Sequence, residues 1–413
     1  MQIHDPEATS PVRHLLSAAA VRERAGRLLD LGLKGELEHF TVHLDRLGPT
    51  AEAVIETIRA DYPTLDIPFH ARWRHFAAGG LDRWGTLNEA LPWADAAERG
   101  RASFDLAIVS VLLDAGAGPD WCYEEGRTGD TFARSEGLAV ASFDMFIGGT
   151  FSGDPGAPLR ADAGPLSLID AAELARGFQV RLDNPLVGLP GRAELLNRLG
   201  HAVTAAPTVF ALGDDPRPGG LFDHLVTQAA GEQIPAPAIL EAILLYLGPV
   251  WPGRLDLDGI GLGDTWRHPA LGEGEAGLVP FHKLSQWLTY SLIEPLEEAG
   301  ISVVDLDGLT GLPEYRNGGL FIDTGVLQLR EADGAGHPHE VGSTLVVEWR
   351  ALTVALLDLL AQEIRQRLDL DARRFPLAKV LEGGTWATGR RLARAVRPGG
   401  APPIAVVSDG TVF

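Results

Sequence analysis

The sequence predicts a mainly α, α-rich α+β protein with two helical lobes and a few short strands. Apolar residues repeat at three- and four-residue spacing over several segments, which is typical of amphipathic helices. Strand signals are few, and they do not alternate with helices as in a parallel α/β sheet. No internal repeat or long low-complexity linker divides the chain. We therefore expect residues 1–413 to form one continuous unit, with possible lobes at 1–160 and 161–413.

Five segments are the clearest helices. The first ends at a glycine, a common helix stop. The second begins with Thr50 as a possible N-cap and ends before Pro63. Its residues Val54, Ile55 and Ile58 form one apolar stripe, and the last segment carries a longer stripe of the same kind. In chain order, the predicted helices are residues 13–32, 50–63, 102–118, 235–249 and 347–368.

Three segments favour strands because they are rich in β-branched and other apolar residues. Residues 301–306 and 318–330 are expected to form a hairpin or a small meander. Residues 402–413 are expected to add an edge strand.

The charge and the cysteine count exclude several classes of protein. The chain has 35 Lys and Arg against 56 Asp and Glu, a net charge of −21. We expect no nucleic-acid or membrane partner, because both need clustered positive charge. The one cysteine, Cys122, fits a reducing compartment. The sequence starts without the features of a signal peptide, and no apolar run reaches the roughly 18–20 residues of a membrane span, so we expect a cytoplasmic protein.

The common cofactor and metal motifs are missing. Residues 272–277 match the dinucleotide glycine pattern, but no predicted strand precedes them. The chain has no Walker A sequence, no G-x-S-x-G elbow and no H-E-x-x-H helix. His39 and His43 are four residues apart without an evident third ligand. The sequence therefore predicts no cofactor and no metal.

Polar, aromatic and glycine residues crowd together first in residues 134–155. Arg134 and Glu136 lead into an apolar run that ends in two glycines. One interpretation is a binding loop in which Arg134 and Glu136 contact the substrate. The other is an ordinary helix start with Ser135 as the N-cap.

A second candidate region spans residues 263–292. Lys283, Gln286 and Tyr290 share one face of a helix that is expected to begin near Phe281. A lysine, an amide and a phenol suit the wall of a pocket, although a solvated helix face explains them equally well. The candidate substrate contacts of this region are Asp264, Trp266, His268, Gln286, Trp287 and Tyr290.

The third region brings a carboxylate, a phenol and a guanidinium together as Glu314, Tyr315 and Arg316. The sequence Asn-Gly-Gly at 317–319 then predicts positive φ and a tight turn. The triplet is either a structural ion-pair cluster or a catalytic carboxylate loop.

The last region is a basic cluster near the C-terminus. A glycine pair precedes a predicted helix that carries several arginines. Free N–H groups at a helix start, together with arginines, suit a phosphate. A basic helix that pairs with acidic neighbours is the alternative. The candidate phosphate contacts are Gly383, Gly384, Thr385, Arg390 and Arg391.

The chain resembles the uracil-catabolism Urc/Urg family from about residue 10 to its end. The blocks that carry the resemblance are RSEGLAVASFDMF, GDTWRHP, LVPFHKLSQWLTYSLIEPL, LTGLPEYRNGGLFID, LEGGTWATGR and SDGTVF. This resemblance implies an enzyme of pyrimidine ring breakdown, with N-ribosylurea or its 5-phosphate as an intermediate.

The order of three blocks is also similar to that of the queuosine-nucleotide N-ribosidase family, helical relatives of DNA glycosylases. The blocks are FHKLSQWLTYSL, LPEYRNGGLFIDTGVL and VEWRALTVALLDLL. This likeness implies a DNA-glycosylase-like core, with Lys283 at the motif lysine and Glu314 at the motif aspartate. Glu348 and Arg350 align on the last helix. Glu in place of Asp and Asn-Gly-Gly in place of Val-Pro-Gln imply a different substrate fit. Residues 188–200 resemble either a helix-hairpin-helix or an ordinary helix start.

We expect an N-ribosyl hydrolase acting on a small ribosyl substrate, with or without a 5-phosphate. Glu314 would stabilise positive charge at the anomeric carbon and activate water. Lys283 would orient that carboxylate, bind a ribose hydroxyl or assist the leaving nitrogen. Arg316 or the Arg390 region would hold a phosphate. A hydrolase of a ureido or amide C–N bond, with Asp264 and His268 as acid and base, is the alternative, and a non-catalytic scaffold is a third. The sequence does not indicate an oligomeric state.

Overall fold

The computed structural model describes residues 10–212, 215–252, 255–330 and 337–407, and it confirms the α-rich class. The helices of the first half are α1 (Pro11–Leu15), α2 (Ala18–Leu33), α3 (Leu47–Asp61), α4 (Arg72–Phe76), α5 (Arg83–Ala90), α6 (Ala96–Leu112), α7 (Arg134–Ile147), α8 (Ala163–Leu168), α9 (Ala171–Gly177) and α10 (Leu189–Ala205). Those of the second half are α11 (Pro207–Phe210), α12 (Gly220–Gln228), α13 (Ala236–Tyr246), α14 (Lys283–Glu298), α15 (Tyr315–Asp323), α16 (Thr344–Leu368), α17 (Leu377–Val380) and α18 (Trp386–Val396).

The strands of the described residues form two-stranded pairs only. The antiparallel pairs are β1 (Phe40–Val42) with β12 (Leu327–Leu329), β2 (Cys122–Glu124) with β3 (Thr131–Ala133), β4 (Ala211–Leu212) with β5 (Asp215–Pro216), β7 (Asp256–Leu257) with β8 (Ile260–Gly261), and β9 (Thr265–Arg267) with β10 (Leu278–Pro280). The parallel pairs are β6 (Gln233–Pro235) with β11 (Ser302–Val304) and β13 (His339–Glu340) with β14 (Val406–Val407).

Residues 301–306 and 318–330 each contain a strand, β11 and β12, but the predicted hairpin or meander between them is wrong, because helix α15 forms at Tyr315–Asp323. The Glu314 carboxylate caps this helix by accepting the backbone N–H groups of Arg316 and Asn317, each at 2.6 Å. A Cβ atom at Gly318 would lie only 2.7 Å from the Trp349 ring, so close packing on α16, rather than a turn, explains the glycine. Strand β12 therefore pairs with β1 and leaves β11 to pair with β6.

The start signals in the sequence identified helices but not their first residues. Helix α3 begins before Thr50, whose hydroxyl donates to the Arg46 carbonyl at 2.9 Å inside the helix. The N-cap of α7 is Ala133 rather than Ser135. Residues 188–200 form the beginning of a single helix, α10, with a proline in its first turn.

The long helix α16 lies at the centre of the packing and contacts both α2 and α3. Its Glu348 side chain is fully buried. One carboxylate oxygen of Glu348 accepts the backbone N–H groups of His39 and Phe40 at 3.1 and 2.9 Å, which joins α16 to β1. A buried carboxylate in this helix therefore serves the fold.

Helices from both sides of residue 160 pack on one another. Helix α6 contacts α12 and α14, and one apolar core runs from Val12 to Ile404. The lobe boundary at residue 160 stays a prediction. Within the described ranges, no helix has the length and apolar character needed to cross a membrane. Of the predicted C-terminal strand, residues 406–407 form β14, whereas the SDGTVF block lies outside the described residues.

Candidate active site

A cleft of about 610 Å³ lies among α4, the β3–α7 junction and one face of α18. Four arginines and two glutamates line it, so its wall is basic in a chain whose net charge is −21. Two histidines and two large aromatic rings complete the lining. These side chains are Arg74, Arg134, Arg390, Arg394, Glu136, Glu382, His70, His75, Phe132 and Trp386.

The first turn of α7 forms one side of the cleft. Its N-cap, Ala133, has no side chain that could bond the first backbone N–H groups of the helix. Arg134 has a φ of +56°, a left-handed conformation that is uncommon for residues other than glycine. Glu136, two residues further, lies 3.8 Å from the Arg390 guanidinium of α18. The predicted contacts Arg134, Glu136 and Arg390 are therefore brought together.

The arginines of the cleft repel one another. Burial and the nearby charge of Arg394 lower the pKa of Arg390, and Arg134 and Arg316 act in the same direction. Glu136 opposes this effect. Arg390 also lies over the Trp386 ring, 5.2 Å from its centroid. A bound anion would relieve this repulsion.

Glu314 is not part of the cleft wall, but it lies within electrostatic range of the cleft residue His70. Burial raises the pKa of Glu314, whereas its two backbone N–H bonds, Lys283 and the cleft residue His70 act against that rise. Both carboxylate oxygens cap α15, and each keeps a second lone pair for another donor. The neighbouring Tyr315 is more than a third exposed. Burial and the charge of Glu314 raise the pKa of Tyr315, whereas Arg316 and Arg134 act against that rise.

Lys283 begins helix α14, and its position is fixed by Asp264. The backbone N–H of Lys283 donates to Asp264 Oδ2 at 3.0 Å. Burial, followed by the positive charge of Arg350, lowers the pKa of the Lys283 amine to about 8, while Glu314, Asp264 and Asp114 oppose the shift. Because each of Lys283 and Glu314 affects the pKa of the other, the two predicted catalytic groups lie within electrostatic range.

Asp264 is itself an anchor rather than an acid or a base. Arg350 donates two hydrogen bonds to its carboxylate, at 2.9 and 2.7 Å, and the Trp266 indole donates a third at 2.7 Å. Although burial would raise the pKa of Asp264, these donors and the Lys283 N–H hold it well below its usual range. Trp266 therefore supports Asp264 and does not line the cleft.

His268 is also placed away from the cleft. It is buried, and its Nε2 atom lies 3.4 Å from Glu348 Oε2 in the packing between β9 and α16. The acid–base pair of Asp264 and His268, on which the ureido-hydrolase alternative depended, consists of two buried residues that both contact α16.

The predicted substrate contacts on α14 face two different parts of the protein. Gln286 exchanges hydrogen bonds with Thr310 at 2.6 and 2.8 Å, and the Tyr290 hydroxyl donates to the Thr310 carbonyl at 3.1 Å. Both side chains are fully buried, so they position the loop before Glu314 and do not line a pocket. Trp287 packs against the cleft residue His75, with 5.7 Å between the ring centroids.

The predicted phosphate cradle at Gly383-Gly384-Thr385 is wrong in its geometry. These residues lie in a π-helical turn, Leu381–Thr385, that continues directly from α17 into α18, so no helix starts there. A Cβ atom at Gly383 would lie 2.6 Å from Ile67, and one at Gly384 would lie 2.6 Å from Val54. The glycines thus allow the 62–71 segment and α3 to pack closely on this turn.

Two predicted basic contacts also fall elsewhere. Arg391 is exposed, with its guanidinium 3.5 Å from the Ala53 carbonyl on the α3 side of the helix. Arg316 is buried and donates to the Gly400 carbonyl at 2.7 Å. Arg390 is therefore the member of the predicted phosphate set that lines the cleft.

Sequence reasoning missed several residues of the cleft. His70, Arg74 and His75 line it without any signal in the sequence. Glu382 and Trp386 were not singled out, although they lie in the block LEGGTWATGR, and Arg394 was noted only as part of the basic helix. The nearest signal was the glycine pair 383–384, which marked a close contact rather than a turn. Among the described residues, no group of three or more His, Cys, Asp and Glu side chains is arranged as metal ligands would be.

Comparison with known proteins places this architecture in a family. The matching family model covers residues 14–413 and is described as "Protein of unknown function (DUF1688)". The chain belongs to this family.

Two curated relatives match over nearly their whole length. Protein urg3 of Schizosaccharomyces pombe is 38% identical over 416 residues, covering 98% of this chain and 100% of the relative. Uracil catabolism protein 4 of Lachancea kluyveri is 36% identical over 440 residues, covering 98% of this chain and 99% of the relative.

Proposed function

We propose that this protein is an N-ribosyl hydrolase of uracil catabolism that cleaves the N-glycosidic bond of a ribosylurea-type nucleoside or its 5-phosphate. The pathway is taken from the name of the relative in Lachancea kluyveri, with which the chain shares 36% identity. The reaction is supported by one observation above all. Glu314 and Lys283 each affect the pKa of the other, and Glu314 lies within electrostatic range of His70 in the wall of the basic cleft.

The proposed chemistry follows from the charge that develops when the bond breaks. Cleavage of an N-glycosidic bond builds positive charge at the anomeric carbon, which a neighbouring carboxylate stabilises. Glu314 supplies that carboxylate from a fixed position, because both its oxygens accept hydrogen bonds from backbone N–H groups of α15. It also accepts a proton from the attacking water, and the Lys283 ammonium beside it keeps the carboxylate in place.

A phosphorylated substrate suits the cleft better than an uncharged one. The wall brings Arg134, Arg390 and Arg394 together around open volume, and the uncapped first turn of α7 adds backbone N–H groups. Arginine and helix N-termini both bind phosphate oxygens well. A phosphate at this point would balance charges that otherwise repel one another.

A product assay tests the proposal. Purified protein is incubated with N-ribosylurea and with its 5-phosphate, and both urea and ammonia are followed. We expect urea together with ribose or ribose 5-phosphate, and faster turnover of the phosphorylated compound. Ammonia released from an intact ribosyl product would show a ureido hydrolase, and no turnover of either compound would contradict the proposed reaction.

A further inference from the structure

We propose that His70 and Glu382 form a proton-transfer pair that protonates the leaving nitrogen of the substrate. This inference rests on the proposed N-ribosyl hydrolase reaction and adds the acid that the reaction needs. The Nδ1 atom of His70 lies 2.6 Å from Glu382 Oε2, and both residues line the cleft. Their side chains are 15% and 18% exposed, so the pair is largely shielded from water and still borders open volume.

The hydrogen bond to Glu382 determines which ring nitrogen of His70 is left to contact a ligand. An ionised carboxylate only accepts hydrogen bonds, so His70 Nδ1 must donate its proton to Glu382. The Nε2 atom is then the one that exchanges a proton with a group in the cleft. A carboxylate that orients an imidazole in this way recurs where histidine acts as an acid or a base.

The fold positions this pair by close packing. The backbone N–H of His70 donates to the Ala378 carbonyl of α17 at 3.3 Å. Gly383 lets Ile67 approach the π-helical turn that carries Glu382. A π-helical turn inside a longer helix often occurs at a functional site.

The pair lies within electrostatic range of the proposed reaction centre, because the charge of His70 acts against the rise in the pKa of Glu314. In the proposed step, protonated His70 gives its Nε2 proton to the ureido nitrogen as the C–N bond breaks and the bonding electron pair leaves with that nitrogen. Water then adds to the anomeric carbon and gives its proton to Glu314. The net reaction consumes one water and releases urea and the ribosyl hydroxyl compound.

Two substrates that differ in their need for an acid test the pair. Urea is a poor leaving group unless it is protonated, whereas 4-nitrophenolate leaves as a stable anion. We expect His70→Gln to lower kcat/KM for N-ribosylurea by about 10²–10⁴. The same variant should leave kcat/KM for 4-nitrophenyl β-D-ribofuranoside within a few-fold of the wild type. Glu382→Gln should show the same selectivity with a smaller loss, because Glu382 acts through His70.

His14 offers a matched control in the same chain. It forms the same kind of pair with Glu23, at 2.9 Å, but both side chains are 45% exposed and lie outside the cleft. His14→Gln should leave both rates unchanged, and thermal unfolding of all variants checks that they fold. An equal loss on both substrates in folded His70→Gln and Glu382→Gln proteins would overturn the pair while leaving the hydrolase intact. Wild-type protein that cleaves neither of these substrates nor N-ribosylurea 5-phosphate would overturn both proposals.

Discussion

The Asp264–Arg350 pair and the basic cleft are both rich in charge, yet they use it in opposite ways. Asp264 and Arg350 are buried and joined by two hydrogen bonds, so that each charge is neutralised within the protein. The cleft instead gathers four arginines and two glutamates around open volume. Among the described residues, Arg134 and Arg394 form no ion pair within the fold. A buried, paired charge therefore holds elements together, whereas an excess of positive charge beside a cavity is suited to binding an anionic ligand.

The largest effect on stability should come from breaking the buried pair. Asp264→Asn removes the carboxylate that neutralises Arg350 and caps α14, and loss of one partner of a buried pair costs about 3–5 kcal/mol. Urea unfolding at neutral pH measures this loss. Because the pKa of Asp264 is depressed in the fold, the wild-type advantage should be present at neutral pH and be lost only in acid, below about pH 4.

A surface pair provides the matched control for that prediction. Asp183 lies 3.1 Å from Arg181, and both side chains are largely exposed. Asp183→Asn should change the free energy of unfolding by less than about 1 kcal/mol. Similar losses in the two variants would contradict the distinction between a buried structural pair and an ordinary charge.

The next effect concerns the cleft and should appear in substrate binding rather than in stability. Arg390→Ala should raise KM for N-ribosylurea 5-phosphate by about 10- to 100-fold, because a hydrogen bond to a charged group contributes about 1.5–3 kcal/mol. Its effect on unphosphorylated N-ribosylurea should be small. Steady-state kinetics with both compounds measures the difference.

Arg391 is the control on the same helix, since it is exposed on the α3 side. Arg391→Ala should leave both KM values unchanged. If Arg390→Ala raised KM equally for the two compounds, the arginine would support the fold of the cleft and not a phosphate.

The smallest effect is a shift in pH dependence. The pKa of Lys283 is lowered to about 8, so its ammonium form predominates below that pH and is lost above it. If the ammonium holds Glu314 in place, kcat/KM should fall as the pH rises through about 8. Lys283→Arg keeps the positive charge at every working pH and should move this fall to higher pH. An unchanged profile in an active Lys283→Arg enzyme would contradict the role of the ammonium.

Long periodic segments were the part of the fold that could be predicted from the sequence. Helices α13 and α16 appear close to their predicted bounds, and α14 begins close to the predicted start at Phe281. Each carries a long apolar stripe that marks a helix. The turn predicted at residues 317–319 was wrong because a glycine can serve either a positive φ or close packing. The sequence alone does not distinguish these two reasons, and in the structure Gly318 is needed because the Trp349 ring packs against it.

The site was harder to predict because tertiary packing assembles it. Arg134 and Glu136 were singled out by their local crowding, and they line the cleft. His70 and Glu382 are 312 residues apart, and although Glu382 lies in the block LEGGTWATGR, nothing in the sequence indicates that the two side chains meet. Gln286 and Tyr290 lie on the expected helix face, but that face packs against Thr310 rather than against open volume.

The proposed reaction depends on the negative charge of Glu314. Glu314→Gln, compared with the wild type, tests that dependence most directly. The amide keeps the size of the side chain and still caps α15 in part, so unfolding should change by only about 1 kcal/mol. Turnover of N-ribosylurea 5-phosphate should fall by about 10²–10³ or more, since the negative charge that stabilises the transition state is removed. A folded Glu314→Gln protein with near-normal turnover would contradict the account, because Glu314 would then be only the N-cap of a helix.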